Sequence, residues 1–186
     1  STSISAALGI ATAKSINHEP GHVVAVIGDG ALTGGLAYEG LNNAGRFKKN
    51  FIVVLNDNKM SISRNVGSIS RYLANIRTKP GYLRVKGNVE STLDHVPFVG
   101  KPLHHALSKS KNAIKHMIYN RTLFEDMGFL YYGPFDGHDL ENLIDVFENA
   151  SKIEKPILLH VITSKGKGYP FAEKNPGVFH GISKFD

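Results

Sequence analysis

The chain has 186 residues, of which 41% are hydrophobic and 20% charged, and it contains no cysteine. This composition favours one soluble domain with a sizeable core, and it excludes disulfides, thiolate nucleophiles and cysteine-based zinc sites. No apolar run approaches the roughly 20 residues that cross a bilayer, and the N-terminus lacks the basic start of a secretory signal. We therefore expect a cytoplasmic protein that does not contact a membrane.

The net charge of +6 is concentrated in one segment of the chain. Residues 71–121 contain ten Lys and Arg residues against only Glu90 and Asp94. This excess favours a solvated helix face followed by a mobile basic loop, and a rim that attracts phosphate or an acidic partner is the second interpretation. Nucleic acid is not expected as a partner, because aromatic residues are not interleaved with the basic ones as stacking platforms.

The first half of the chain alternates helices and strands. The segment STSISAALGIATAKSIN has apolar residues at helical spacing, and this helix is expected to end before Pro20. The continuous β-branched run His22–Ile27 predicts a strand that is buried on both faces. A second helix is expected to end near Gly45, and Phe51–Leu55 predicts a second fully buried strand.

The second half begins less regularly. Residues 61–100 are expected to form a mobile loop region with a short helix near residues 66–73, and a helix is expected over 102–121. Strands are expected over 129–133 and 157–162, and the helix between them should direct four apolar residues inward, namely Leu140, Leu143, Ile144 and Phe147. The whole pattern predicts an α/β fold, a parallel sheet with helices on both faces, within one domain over residues 1–186.

Polar clusters follow the first two predicted strands. The cluster GDG has Asp29 at its centre, and the cluster NDN ends at Asn58. Because the carboxyl ends of parallel strands meet at one edge of a sheet, and ligands bind at that edge in folds of this kind, we expect the two clusters to converge. Either cluster alone is a common turn sequence. Their placement after consecutive buried strands favours a binding site.

The chemistry of these clusters suits a divalent cation that carries a diphosphate. Magnesium takes few of its oxygen ligands from protein and the others from phosphate or water, and Asp29, Asn58 and the backbone carbonyl of Met60 are the candidate ligands. The glycines beside Asp29 let the main chain approach a phosphate, and a helix from about Thr33 would direct its free N–H groups at the same anion. The dinucleotide fingerprint and the P-loop motif are both absent from the chain.

The pair GDG and NDN resembles the thiamine diphosphate signature of the transketolase-like enzymes. The segments GDGALTGGLAYEGLNNAG, LNDNKMSIS, GPFDGHD, SKGKGYPFAEKNP and FHGISKFD resemble the 1-deoxy-D-xylulose-5-phosphate synthase family. The resemblance extends over essentially the whole chain and is weakest from about residue 71 to 115. It implies a thiamine-diphosphate-binding fold and an enzyme that joins pyruvate to D-glyceraldehyde 3-phosphate with loss of carbon dioxide, at the start of an isoprenoid route.

The resemblance also implies roles for individual residues. The implied magnesium ligands are Asp29, Asn58 and the Met60 carbonyl. The implied contacts to the diphosphate and the rest of the cofactor come from Gly30, Ala31, Asn58, Lys165 and Tyr169. The implied active-site histidine is His180. The other eight histidines are expected to be structural or on the surface.

Finally, the resemblance implies that this chain is the diphosphate-binding portion of a longer, homodimeric enzyme. The glutamate that activates the cofactor and the arginines that hold the substrate phosphate belong to other domains of the family. We therefore expect the chain alone to bind magnesium and thiamine diphosphate weakly and to lack synthase activity. The alternatives are a transketolase or 2-oxo-acid dehydrogenase subunit, and a non-catalytic module that binds through the basic segment 71–121.

Overall fold

The structure is a computed structural model, and it describes residues 1–58, 68–77 and 122–181. Within these residues a sheet of four strands forms the centre: β1 (Val24–Gly28), β2 (Phe51–Asp57), β3 (Leu130–Asp136) and β4 (Pro156–Ile162). Their order is β1-β2-β4-β3, and each neighbouring pair is parallel. The predicted parallel α/β sheet is therefore confirmed, and the carboxyl ends of all four strands lie at one edge.

Seven helices accompany the sheet in the described residues: α1 (Ser3–Ile16), α2 (Asp29–Leu32), α3 (Gly35–Ala44), α4 (Ser68–Arg77), α5 (Leu123–Asp126), α6 (Leu140–Ser151) and α7 (Pro170–Lys174). The expected helices correspond to α1, α3, α4 and α6. Most of the expected loop region 61–100, the expected helix 102–121 and most of the basic segment lie outside the described residues.

The short helices α5 and α7 were not predicted, although α5 has a readable start signal. The Thr122 hydroxyl accepts a hydrogen bond from the backbone N–H of Glu125 at 3.2 Å, and the Glu125 carboxylate accepts one from the Thr122 N–H at 2.9 Å. This reciprocal capping box corresponds to the sequence pattern T-x-x-E. Helix α7 carries Pro170 at its first position, where proline is well tolerated because that N–H has no helical partner.

One face of the sheet is covered by α1 and α3, and we call it the α1/α3 face. Its core comprises Ile4, Ala7, Ala11, Ala25, Ile27, Ala37, Leu41, Val53, Leu55 and Leu158 together with residues of α5 and β3. The two helices pack closely at Gly40, because a Cβ there would lie 3.0 Å from Ile4. Small residues on α1 and α3 thus bring both helices down onto the sheet.

The opposite face is covered by α6, and we call it the α6 face. Its buried residues are Ile52, Val54, Ala150, Ile157, Leu159 and Val161, with Leu143, Val146 and Phe147 of α6 packed against them. The expected inward orientation of Leu140 and Ile144 is wrong, because they are 68% and 58% exposed. The buried stripe of α6 begins only at Leu143, so its first turn projects past the core, and Ile144 is rotated by about 100° from Leu143.

Strand β1 is buried on one face only, which corrects the expectation of burial on both. Ala25 and Ile27 are each 3% exposed on the α1/α3 face, whereas Val24 is 44% and Val26 59% exposed. In the described residues β1 is an edge strand, and the apolar side chains of α6 pack over the other strands instead. Full burial of β2 is confirmed for Phe51–Leu55, and the strand continues to Asp57.

Candidate functional site

The polar clusters GDG and NDN meet at the carboxyl edge of the sheet. Gly28 of β1 pairs with Asn56 of β2, so that the next residue of each strand, Asp29 and Asp57, lies at the same level. Both are buried, with exposed fractions of 4% and 0%. Asn58 follows β2 directly and is half-buried. The predicted convergence of the two strand ends is confirmed.

The side chain of Asp57 lies against that of Asp29. The two carboxyl groups share a side-chain hydrogen bond, and the backbone N–H of Gly30 also donates to Asp29. Burial raises the pKa of Asp29, and the neighbouring charge of Asp57 raises it further. Two buried carboxyl groups in contact are unfavourable as a pair of anions, and a divalent cation is the natural partner that would relieve their repulsion.

Asp57 was missed by the sequence reasoning, which paired Asp29 with Asn58. A signal was present, because Asp57 continues the alternation of Val53 and Leu55, both of which face the α1/α3 side. The strand simply runs two residues further than its apolar part, so the polar cluster begins inside the sheet. Met60, the third expected ligand, lies outside the described residues.

The oxygen-rich character of this edge fits magnesium more closely than a transition metal. Across residues 1–58, 68–77 and 122–181, no three His, Asp or Glu side chains form a cluster that could hold a metal by themselves. Magnesium does not need such a cage, because it is commonly bound by one or two carboxylates plus phosphate and water oxygens. The described residues at this edge offer the carboxylates of Asp29 and Asp57 and the amide of Asn58, which are oxygen donors of the kind that magnesium takes.

The segment after Asp29 differs from the expected helix beginning near Thr33. The short helix α2 begins at Asp29 itself, and α3 begins at Gly35 after a break. The break is closed by Thr33, whose hydroxyl donates a hydrogen bond to the Gly30 carbonyl at 2.7 Å. Gly30 is half-buried and Ala31 is exposed, so the main chain beside Asp29 is accessible at the carboxyl edge.

The loop after β4 starts beside this pair. The N–H of Thr163 donates to the Asp57 carbonyl at 3.0 Å, and its hydroxyl donates to the Asn56 side chain at 2.7 Å. One residue on, the Ser164 N–H donates to Nε2 of His138 at 2.8 Å. Lys165 follows and is half-buried. These bonds hold the two residues before the expected phosphate-facing lysine at the same edge as Asp29.

Tyr169, which is 52% exposed, packs against the residue that precedes His180. The Tyr169 ring meets the Phe179 ring edge-on with centroids 5.8 Å apart, and Phe179 precedes His180. The Nδ1 atom of His180 is buried and has no hydrogen-bond partner among the described residues. A buried polar atom without a partner is unusual in a folded protein, and it is consistent with a group that faces a ligand.

Comparison of the sequence with known proteins identifies a family. A profile of the 1-deoxy-D-xylulose-5-phosphate synthase family matches residues 1–163. The chain belongs to this family. It is 54% identical over 186 residues to the 1-deoxy-D-xylulose-5-phosphate synthase of Caldanaerobacter subterraneus subsp. tengcongensis, and 54% identical to that of Clostridium kluyveri. In both cases all of this chain is matched, and it spans 30% of the relative's length.

A solved structure supports the fold independently. A transketolase from Campylobacter jejuni superposes with a TM-score of 0.56 at 20% identity, covering 95% of this chain and 21% of the transketolase. At this identity the likeness concerns the fold alone. Membership of the synthase family favours the first functional interpretation over a transketolase or 2-oxo-acid dehydrogenase subunit. Among the described residues no helix is both long and apolar enough to cross a membrane.

Proposed function

We propose that this chain is the magnesium- and diphosphate-binding portion of a thiamine-diphosphate-dependent 1-deoxy-D-xylulose-5-phosphate synthase. The observation that carries this proposal is the buried contact between the Asp29 and Asp57 carboxyl groups at the carboxyl edge of the sheet. It lies in a member of the synthase family, and such a pair is favourable only when a cation or a proton compensates its charge.

In this proposal the cation is Mg²⁺, and its protein ligands are Asp29, Asn58 and the Met60 carbonyl. Asp57 supports Asp29 from the side of the sheet. Gly30, Ala31, Asn58 and Lys165 contact the diphosphate. The anchoring of Thr163 to Asp57 supports the role of Lys165, because it starts the lysine-bearing loop beside the cation site.

Tyr169 and His180 would line the reacting end of the cofactor. His180 would use the buried Nδ1 to hold or transfer a proton at the substrate, which the absence of a hydrogen-bond partner for that atom in the described residues supports. Thiamine diphosphate, when bound, supplies the carbanion chemistry that releases carbon dioxide from pyruvate and joins the remaining two carbons to D-glyceraldehyde 3-phosphate. The chain's own residues bind, orient and neutralise charge.

The remaining domains of the same enzyme are the partners in this proposal, within a cytoplasmic homodimer. The shared length supports the part of this proposal that concerns further domains, since the chain spans 30% of each synthase that it matches. We expect the chain alone to form no 1-deoxy-D-xylulose 5-phosphate from pyruvate and D-glyceraldehyde 3-phosphate. Measurable product formation by the purified chain would contradict this part of the proposal.

The test of the binding site is calorimetric titration of the chain with thiamine diphosphate, with and without Mg²⁺. Binding should require Mg²⁺, and Asp29→Ala or Asn58→Ala should abolish it. The control is Asp145→Ala, which removes an exposed carboxylate on α6 and should leave the titration unchanged. Binding that ignores Mg²⁺, or that survives both site substitutions, would refute the proposed function.

A further inference from the structure

A chain of buried polar groups crosses the α1/α3 face behind the proposed cation site. The Tyr131 hydroxyl lies 2.6 Å from Nδ1 of His160, and Nε2 of His160 lies 3.0 Å from Oδ2 of Asp57. Asp57 in turn hydrogen-bonds with Asp29. The strands β3, β4 and β2 each supply one of these residues, and the fourth, Asp29, follows β1. The hydrogen-bond chain therefore extends across all four strands of the described sheet.

The three residues that these two hydrogen bonds join are almost completely buried. Tyr131 is 2% exposed, and His160 and Asp57 are each 0% exposed. Burying polar groups is unfavourable unless every one is hydrogen-bonded, and an apolar core of the same shape is usually at least as stable. The positions beside them on the same face are apolar, such as Leu55 and Leu158. A polar chain at this place therefore calls for a reason other than stability.

The direction of these hydrogen bonds depends on the tautomer of His160. An ionised Asp57 can only accept, so Nε2 of His160 donates to it. In a neutral imidazole the other nitrogen then accepts, and the Tyr131 hydroxyl donates to Nδ1. Each group fixes the orientation of the next, from Tyr131 through His160 to the plane of the Asp57 carboxylate.

The Tyr131 end of the hydrogen-bond chain is closely packed. The Tyr131 ring stacks on Phe124 with centroids 6.0 Å apart and an interplanar angle of 6°. Strand β3 also lies very close to β4 at Gly133, where a Cβ would collide with the carbonyl oxygen of His160, and where φ is +125°. Because Tyr131 is packed in place, its hydrogen bond restricts the orientation of His160, and His160 in turn restricts Asp57, which lies against Asp29.

We propose that His160 and Tyr131 are positioning residues for the divalent cation. They hold Oδ2 of Asp57, and thereby fix the carboxylate against which Asp29 is placed, without touching the cation themselves. The inference rests on the proposed function, because that proposal assigns the cation to Asp29. Groups that hydrogen-bond a metal ligand directly are worth about 10- to 100-fold in metal affinity; Asp57 is that group here, and His160 and Tyr131 act through it.

The test titrates the full chain with Mn²⁺ in the presence of thiamine diphosphate and measures free Mn²⁺ by electron paramagnetic resonance. His160→Leu should raise the Kd for Mn²⁺ by about 10-fold, the lower end of the range for a direct partner because His160 acts through Asp57, and Tyr131→Phe by about fivefold, the equivalent of one hydrogen bond. His160→Gln should bind Mn²⁺ close to the unaltered chain, because its amide can donate to Asp57 from nearly the same position as Nε2.

The matched control is Tyr132→Phe, which removes a hydroxyl from the next residue of β3 on the α6 face and should leave the Kd unchanged. The thermal midpoint of each variant in metal-free buffer separates positioning from stability, because a structural role would lower the midpoint and leave the Kd of the folded protein alone. If His160→Leu does not fold, the Kd and thermal midpoint of Tyr131→Phe distinguish a positioning role from a structural one.

Two results would overturn the inference while sparing the proposed function. One is a Kd for Tyr131→Phe and His160→Leu equal to that of the unaltered chain. The other is a Kd for His160→Gln as high as that of His160→Leu. Absence of Mn²⁺ binding by the unaltered chain would instead overturn the proposed function, and the inference with it.

Discussion

The two faces of the sheet are built from alternate residues of the same strands, yet they differ in kind. On the α6 face, the buried side chains that β2 and β4 pack against the helix are apolar, and Asn56, near the carboxyl end of β2, is only half-buried. On the α1/α3 face the same two strands begin with apolar residues and then present Asp57 and His160, both fully buried. The polar residues lie toward the carboxyl ends of the strands, where the proposed cation and diphosphate bind.

This difference suggests a division within one sheet, in which the α6 face serves stability and the carboxyl end of the α1/α3 face serves cation binding. The α6 face is what hydrophobic burial alone would select, since removing apolar surface from water is the dominant stabilising term. The α1/α3 face accepts buried carboxyl groups whose charge is unfavourable without a cation. We infer that substitutions on the α6 face act mainly on stability, and that substitutions in the polar chain act mainly on cation binding.

The largest expected effect tests the apolar side of this comparison. Leu159→Ala removes a side chain that is 0% exposed on the α6 face and should lower the free energy of unfolding by about 2–5 kcal/mol, because it leaves a cavity. Urea unfolding measures the loss. The Kd for Mn²⁺ of the folded variant should not change, and a raised Kd would show that the two faces are not separate in function.

The next prediction tests the polar residues of the α1/α3 face, and it is a smaller change that raises stability instead of lowering it. Asp29→Asn removes one of two buried carboxyl groups in contact, and its amide can donate to Asp57. In metal-free buffer at neutral pH the variant should be more stable by about 1 kcal/mol, or about 2–4 °C in thermal midpoint. It should also lose the stabilisation that Mg²⁺ and thiamine diphosphate give the unaltered chain by mass action. A variant less stable than the unaltered chain would show that the contact between the two carboxyl groups is not unfavourable in the absence of metal.

The stabilising effect of Asp29→Asn should depend on pH in a defined direction. Burial raises the pKa of Asp29 above its ordinary value of 3.8, so the folded state holds the proton more tightly than the unfolded state. The unaltered chain therefore loses stability as pH rises from 3.8 through the raised folded pKa, and the loss is complete above it. The difference in thermal midpoint between the two proteins should grow over that window, and a difference that is constant with pH would remove the electrostatic explanation.

The smallest expected effect tests where the buried part of the α6 face begins. Leu140→Ala should change the free energy of unfolding by less than about 0.5 kcal/mol, as at other exposed positions, because Leu140 is 68% exposed. Leu143→Ala, three residues along the same helix, is the matched comparison and should be clearly destabilising. Equal losses for both would mean that another part of the protein covers the first turn of α6.

Much of the fold was predictable from local patterns. The fully buried run Phe51–Leu55 was assigned correctly, because five consecutive apolar residues suit a central strand of a parallel sheet. The run His22–Ile27 has the same appearance, yet Val24 and Val26 are exposed. Position in the sheet decides between these outcomes, and strand order depends on contacts between distant segments that no local pattern encodes.

The candidate site shows the same division. That GDG and NDN would lie at one edge followed from two consecutive strands in a parallel sheet, and the register Gly28 to Asn56 confirms it. That Asp57 would be the contact of Asp29 did not follow, because it depends on β2 extending through the first two residues of NDN. Successive side chains of a strand point to opposite faces, so the exact end of β2 determines which face Asp57 occupies.

The sequence by itself determined the class of the fold and the family, and it placed Asp29 and Asn58 after neighbouring strands, since those properties depend on residue order and periodicity. Only the tertiary structure decided that Asp57, His160 and Tyr131 form one buried chain. Their sequence separations of 103 and 29 residues are closed by the strand order β1-β2-β4-β3, and hydrogen bonds depend on distances in space rather than along the chain.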